Sequence, residues 1–313
     1  MSEGDLCCEE SKVIYKMAKL LRCITSEGAI MVSAIDSTDI VAKAESLHKT
    51  SAVITAALGR LLTAGAMMGN MLKGEKSSLS LRVDGGGPSG ILTVSADSTG
   101  NVRGYAANPV VEIPLKPNGK LDVSGAVGCN GSLYVIKDLG MKEPYNGFVP
   151  LVSGEIAEDI TSYYATSEQI ATVCALGVLV NPDLTVRKAG GYIIQLLPFT
   201  EDAIIDRLEE NLKKARPVTE QLDEGRDIEK IVRDVLEGFE VEVIYEEHPE
   251  YKCKCSRERI AGILSGLDDK ELDEMAEDTN GTEIKCHFCG ENYLFSGEEI
   301  KNIKKLKKIE KKS

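Results

Sequence analysis

The chain has 313 residues, 42% of them hydrophobic, and 50 acidic against 37 basic side chains give a formal net charge of −13. This length and apolar share describe a globular protein with room for two domains, and exclude a disordered chain. The negative charge argues against a general binder of nucleic acid or of anionic membrane, because both partners are polyanions.

Aromatic residues make up only 5% and tryptophan is absent, so the core is built from aliphatic side chains and alanine. The opening Met1-Ser2-Glu3-Gly4-Asp5 lacks the basic start and apolar stretch of a secretion signal. With nine cysteines and no such signal, the expectation is a reducing cytoplasm, where clustered cysteines bind metal or do redox work more often than they form structural disulfides.

The first twelve residues, including Cys7-Cys8, read as a polar lead-in. Strand-like stretches follow around Leu20–Thr25 and Ala29–Ala34, separated by Glu27-Gly28. One long helix is expected from the cap-like Thr38-Asp39 to about Lys73, with Gly74 as its stop. From Ala52 onward it is apolar or small nearly all round, the pattern of a helix enclosed by protein. Arg60 and Asn70 within it argue against a membrane span, and Ala56, Gly59, Ala64 and Gly65 allow close approach of neighbours.

Residues 77–137 read as β-rich, with alternation in Leu79–Val83 and β-branched residues in Ile91–Val94, then Asn101–Tyr105 and Ser132–Ile136. Gly85-Gly-Gly-Pro-Ser-Gly90 matches a dinucleotide-binding spacing, but a strand follows where a helix should open, so it reads as a turn. Glu155–Tyr164 reads as a helix, and 173–180 and 192–197 as paired strands. The fold class expected is α+β: an N-terminal domain over 1–199 whose β-sheets enclose a buried helix.

Beyond Pro198 the texture becomes highly charged. Ile204, Ile205, Leu208 and Leu212, then Ile228, Ile231, Val232, Val235 and Leu236, lie at helical spacing on either side of Pro217 and Gly225. Residues 200–252 are thus expected to form an amphipathic helical linker whose apolar stripes dock on a surface. The last segment, 253–313, ends in Lys301–Ser313 with seven lysines, expected to be a solvated, frayed tail.

The chemistry concentrates in that last segment. Cys253-Lys-Cys255 and Cys286-His-Phe-Cys289 are two close pairs, able to converge on one tetrahedral zinc as a closed four-thiolate site. Gly290 suits a tight turn around a thiolate, and His287 sits between two ligands without being needed. Four thiolates leave no open position for catalytic water, and the same thiolates can be oxidised to disulfides that no longer bind metal. Cys23, Cys129 and Cys174 are read as inert core thiols, and His48 and His248 as isolated. Residues 251–300 hold six basic and twelve acidic side chains, against the basic face a zinc-ribbon nucleic-acid binder needs. A thiol oxidoreductase is the other rival, although Cys286–Cys289 follows no βαβ pattern. No nucleophile–base pair is legible, so an enzyme is not expected.

Cys253-Lys-Cys-Ser-Arg-Glu-Arg259 with Cys286-His-Phe-Cys-Gly290 resembles the redox-switch module of the heat-shock protein 33 family. Ala57-Leu-Gly-Arg-Leu61, Asn101-Val-Arg-Gly-Tyr105, 149–158 and 189–198 also resemble family segments, and only the lead-in and the lysine tail fall outside. The resemblance implies an ATP-independent chaperone that holds unfolding client proteins only after oxidation. It implies one zinc per chain on Cys253, Cys255, Cys286 and Cys289 in the reduced state. It further implies oxidised pairs Cys253–Cys255 and Cys286–Cys289, a homodimer when activated, and a cytoplasmic home.

Overall fold

The computed structural model describes residues 16–310; Cys7 and Cys8 lie outside them. Strands β1 (Lys19–Thr25) and β2 (Ile30–Asp36) form an antiparallel hairpin, followed by helices α1 (Thr38–His48) and α2 (Ala52–Asn70). The single long helix expected here is therefore two. Lys49 adopts a left-handed conformation (φ 50°) and Ser51 an extended one, so the chain turns between them. Thr50 and Thr55 hydroxyls meet across the break at 2.6 Å. Nothing in His48-Lys-Thr-Ser51 is a strong helix breaker, so propensity alone did not expose the corner.

Strands β3 (Ser78–Asp84), β4 (Leu92–Asp97) and β5 (Val102–Ala106) come next, then a short helix α3 (Val123–Val127) and strands β6 (Ser132–Asp138) and β7 (Tyr145–Pro150). Helix α4 (Ala157–Tyr163) runs into a π-helical turn at Tyr164–Glu168, and β8 (Thr172–Val180) pairs with β9 (Val186–Leu196). The segment Gly85–Gly90 is a turn between β3 and β4, as its context indicated.

Two five-stranded antiparallel sheets result. One has the order β5-β4-β3-β6-β7. The other has the order β10-β1-β2-β9-β8, where β10 is Val241–Glu247. Helix α2 lies between them with nearly every residue buried. It is long and apolar enough to cross a membrane, but 89% of its most apolar window is buried inside the protein. Its small residues admit both sheets: a Cβ on Gly59 would sit 2.9 Å from a methyl of Val178 on β8, and one on Gly65 2.7 Å from a methyl of Val94 on β4. A helix this tightly walled tolerates neither added volume nor a void.

The outer face of the sheet containing β1 is apolar as well. Leu20 faces α2, whereas Leu21 and Cys23 face the other way, with Ile30, Val32, Tyr192 and Ile194. Helices α5 (Asp202–Lys214), α6 (Val218–Asp223) and α7 (Ile228–Val235) cover that face through Leu208, Leu222, Ile231, Val232 and Val235. The amphipathic stripes thus have their docking surface. The helical reading of 200–252 fails at β10, which pairs antiparallel with β1 as an edge strand. Val241 and Val243 alternate toward the apolar cluster, a period of two that the surrounding glutamates obscured.

The C-terminal module comprises α8 (Arg257–Leu264), α9 (Asp269–Glu277), the hairpin β11 (Thr282–Lys285)–β12 (Asn292–Phe295) and α10 (Gly297–Glu310). Ser256 and Asp268 cap the first two helices, accepting the Arg259 and Glu271 amides. The lysine-rich end is helical rather than frayed as far as it is described. Lys304 bonds Asp273 at 2.6 Å, and Lys307 reaches the Leu267 carbonyl, so the acidic α9 holds the basic α10.

Candidate metal centre

Each cysteine pair is delivered by a different local structure. Cys286 and Cys289 occupy the loop that joins β11 to β12, a knuckle closed by Gly290 N–H to Cys286 O (2.8 Å) and Cys286 N–H to Glu291 O (2.9 Å). Gly290 has φ +74°, the left-handed turn that a residue without Cβ takes readily. Cys253 and Cys255 lie on the irregular stretch between Tyr251 and the Ser256 cap of α8.

The four sulfurs lie within 4.8 Å of one another, with Cys286 buried and the others half-buried. Cys253 Sγ is 3.7 Å from Cys286 Sγ, and Cys255 Sγ is 3.3 Å from Cys289 Sγ. A tetrahedral site with metal–sulfur bonds of about 2.3 Å places its sulfurs about 3.8 Å apart, so this donor set fits a closed four-thiolate metal site. His287 is not among the converging donors; its ring stacks on Tyr105 at 5.3 Å.

The protons are unevenly held. Burial pushes the Cys255 thiol up, but the Tyr293 hydroxyl donates to its sulfur at 3.1 Å and neighbouring thiols add to it, bringing it down to about 7. Burial raises Cys253 and Cys289 above the ordinary thiol value. Cys255 is therefore more readily ionised than Cys253 or Cys289, and the Tyr293 hydroxyl orients its sulfur.

Outside the cluster, Cys23 is buried and raised to about 11 by burial, and the half-buried Cys174 is also raised by burial. Both are inert packing thiols. Cys129 departs from expectation: it is exposed, in the loop between α3 and β6. His248 is held by Nδ1 against the Ala18 carbonyl at 2.8 Å.

His48 proves to belong to the seam on which the module sits. The Tyr251 hydroxyl lies 3.1 Å from His48 Nε2 and 2.8 Å from the Gly104 carbonyl, and it accepts the Gly104 N–H at 3.3 Å. It also reaches the Phe288 carbonyl, inside the knuckle itself. Burial holds His48 below the usual histidine range. Around this point Val102 N–H bonds Glu250 O (3.0 Å) and Lys252 N–H bonds Val102 O (2.9 Å), so the chain entering the module runs beside β5. The Phe288 ring receives the Arg103 guanidinium at 4.7 Å and the Tyr105 ring edge-on at 5.2 Å. Lys254, between the first two cysteines, bonds Asp97 at 2.7 Å. The module is thus docked through the cysteine loops themselves. Tyr251, two residues before Cys253, carried no sequence signal of this role.

Two sheets around a buried helix, with a four-cysteine module docked on one of them, define a mixed α+β protein with a candidate C-terminal metal centre. The Hsp33 protein family model matches residues 18–296. The chain is 49% identical over 284 residues to the 33 kDa chaperonin of Lachnoclostridium phytofermentans, covering 91% of this chain and 97% of that one. It is 45% identical to the 33 kDa chaperonin of Geobacillus kaustophilus, covering 93% and 99%. The crystal structure of the 33 kDa chaperonin (Hsp33 homologue) of Thermotoga maritima aligns with TM-score 0.84 at 34% identity, covering 94% of this chain and all of that one. The chain belongs to the Hsp33 family of chaperones.

Proposed function

We propose that this protein is a redox-regulated, ATP-independent holdase, silent when reduced and zinc-bound, and active toward unfolding client proteins once its four cysteines are oxidised. The observation that carries this reading is the coincidence of donor set and docking surface: the loops that bring four sulfurs within 4.8 Å also make the contacts to β5. Zinc, when bound, supplies the cross-links that a module with five buried apolar side chains in its core, among the described residues, needs in order to stay folded.

On oxidation each pair of thiolates gives up two electrons and forms one S–S bond. One hydrogen peroxide takes those electrons with two protons and leaves as two waters, so two peroxides consume all four sulfurs. The disulfides retain no thiolate for metal. We assign the pairs Cys253–Cys255 and Cys286–Cys289 on the family resemblance. The first closes a small, strained ring that is readily reduced again. Collapse of the knuckle then removes Phe288 and Tyr251 from β5 and frees the strand β10 that leads back to α7. Loosening of α5–α7 would bare the apolar face of Leu21, Ile30, Val32 and Ile194 to clients. The functional division is a client-holding core (1–199), a linker (200–252) and the switch (253–313), working in the cytoplasm and dimeric when active.

The test measures zinc content, disulfide positions and suppression of client aggregation in the same samples before and after peroxide with mild heat. One zinc per reduced chain, lost as protection appears, is the expected result; oxidised, zinc-free protein that leaves a client to aggregate would refute it. Peptide mapping tests the pairing, because close sulfur approaches also run between the pairs, Cys253–Cys286 at 3.7 Å and Cys255–Cys289 at 3.3 Å. Cys286→Ser should lose tight zinc binding.

A further inference from the structure

A cavity of about 400 Å³ opens at the seam between the cysteine module and the outer face of the sheet containing β3–β5. Strand alternation builds its floor. Leu79, Leu81 and Val94 are buried toward α2, so the intervening Ser78, Ser80, Thr93 and Ser95 face outward, and their short side chains leave the space open. None of these four hydroxyls has a hydrogen-bond partner among the described residues.

The walls are cationic. Lys76 and Arg103 come from the core, and Lys252, Lys254 and Arg259 from the module. Asp97 is the one carboxylate in the lining, and it is taken by Lys254 at 2.7 Å. Lys76, Arg103, Lys252 and Arg259 form no ion pair among the described residues, and Arg103 Nε is buried without an acceptor. Four unpaired cations around one cavity are an anomaly in a chain of net charge −13. Like charges so gathered repel one another, and a multivalent anion relieves that repulsion while using the free hydroxyl and guanidinium donors.

We infer that this cavity is a binding site for a condensed phosphate, an anion with several negative charges and many acceptor oxygens. The lining comes from both sides of the seam, so the site is complete only while the module is docked. Anything that binds the docked form alone stabilises it by mass action. On the reading of the module as a redox switch, which this second step requires, the anion is a brake: its occupancy holds the switch closed and slows activation, and its loss sensitises it.

The binding step is tested on the reduced, zinc-loaded full chain by calorimetric titration with inorganic pyrophosphate, with sodium sulfate at equal ionic strength as the control. Zinc content is measured in the same samples. The expected result is one site per chain, preferring pyrophosphate over sulfate by at least tenfold. Its affinity should drop at least tenfold in K76Q/R259Q, two exposed positions whose substitution spares the fold. Equal binding of the two anions, or binding unchanged in the double variant, would overturn the site. The coupling is tested separately by hydrogen exchange at the Val102 and Lys252 amides, which bond across the seam. At one hundred times the Kd their exchange should slow by up to about a hundredfold in the parent and not in the variant. Binding without that protection would keep the site and overturn the brake.

Discussion

Helix α2 is enclosed by two five-stranded sheets and packed by residues drawn from nearly the whole first half of the chain, whereas the module beyond Tyr251 gathers Ile260, Leu264, Leu272, Phe295 and Ile300 beside a cluster of four thiols. The first region is stabilised by apolar area, a term spread over many side chains and indifferent to oxidation. On the function proposed above, the second depends on a few metal–sulfur bonds, all removable by one oxidant. A protein that must respond to oxidants while keeping a scaffold gains from this division, because the region that fails and the region that endures are stabilised by unrelated forces.

Removal of the metal should divide the two most sharply. Structural zinc is worth on the order of 10–16 kcal/mol of apparent binding free energy in small modules. A strong chelator under reducing conditions should therefore abolish amide protection across α8, β11 and β12 and leave α2 protected. Loss of protection in both regions together would mean that they fold as one unit. The converse experiment attacks the core. Leu61 is fully buried on α2, and Leu61→Ala should cost about 2–5 kcal/mol of core stability. Thermal melting followed on the core should shift down, while the zinc content of the folded protein stays at one per chain.

The same division explains what could be read in the sequence. The all-round apolar character of 52–70, the alternation of Leu79–Val83 and the two cysteine pairs each carry a local pattern tied to one physical cause, so they were legible. The corner at Lys49–Ser51 was not, because its left-handed lysine is stabilised by neighbours rather than announced by a glycine or proline. Strand β10 was concealed among glutamates, as befits an edge strand that needs only one apolar side. Cys129 sits among apolar letters but on the outside of the loop that carries it. The least legible feature was the seam. Tyr251, His48, Gly104 and Phe288 come from four distant parts of the chain, and no periodicity relates them.

That seam is where the two regions can be uncoupled without damage to either. Tyr251→Phe keeps the ring and removes the hydroxyl on which the Gly104 N–H, His48 Nε2 and the Phe288 carbonyl converge. Groups left without partners at a half-buried site cost about 1–3 kcal/mol. The variant should retain zinc and a normal core melting temperature, yet show faster exchange at the Val102 and Lys252 amides and faster zinc loss on oxidation. If zinc affinity falls instead, Tyr251 supports the metal site itself and the division drawn above is too sharp.

The smallest effect tests whether electrostatics contributes to docking at all. Asp97 accepts bonds from Lys254 and from the Thr99 hydroxyl. Burial raises its pKa, but these donors outweigh it and hold the carboxyl below the usual aspartate value. A carboxyl depressed by its docked partners lends stability that is present above the ordinary carboxylate pKa and disappears as pH falls through the depressed value. Lys254 is half-exposed, so the pair is worth no more than about 1 kcal/mol. Exchange at the seam should therefore accelerate only modestly between neutral and acid pH, below the unperturbed carboxylate range, and Asp97→Asn should flatten that dependence while leaving α2 unaffected. A pH dependence that persists in Asp97→Asn would shift the origin of acid sensitivity to another carboxylate, with Glu155 the first to examine. That group bonds Arg60 at 2.6 Å and also pairs with Lys116, and it too is held below its ordinary value. Since Glu155 joins α2 to α3, acid would then loosen the core before the cysteine module, the reverse of the order of failure proposed for oxidation.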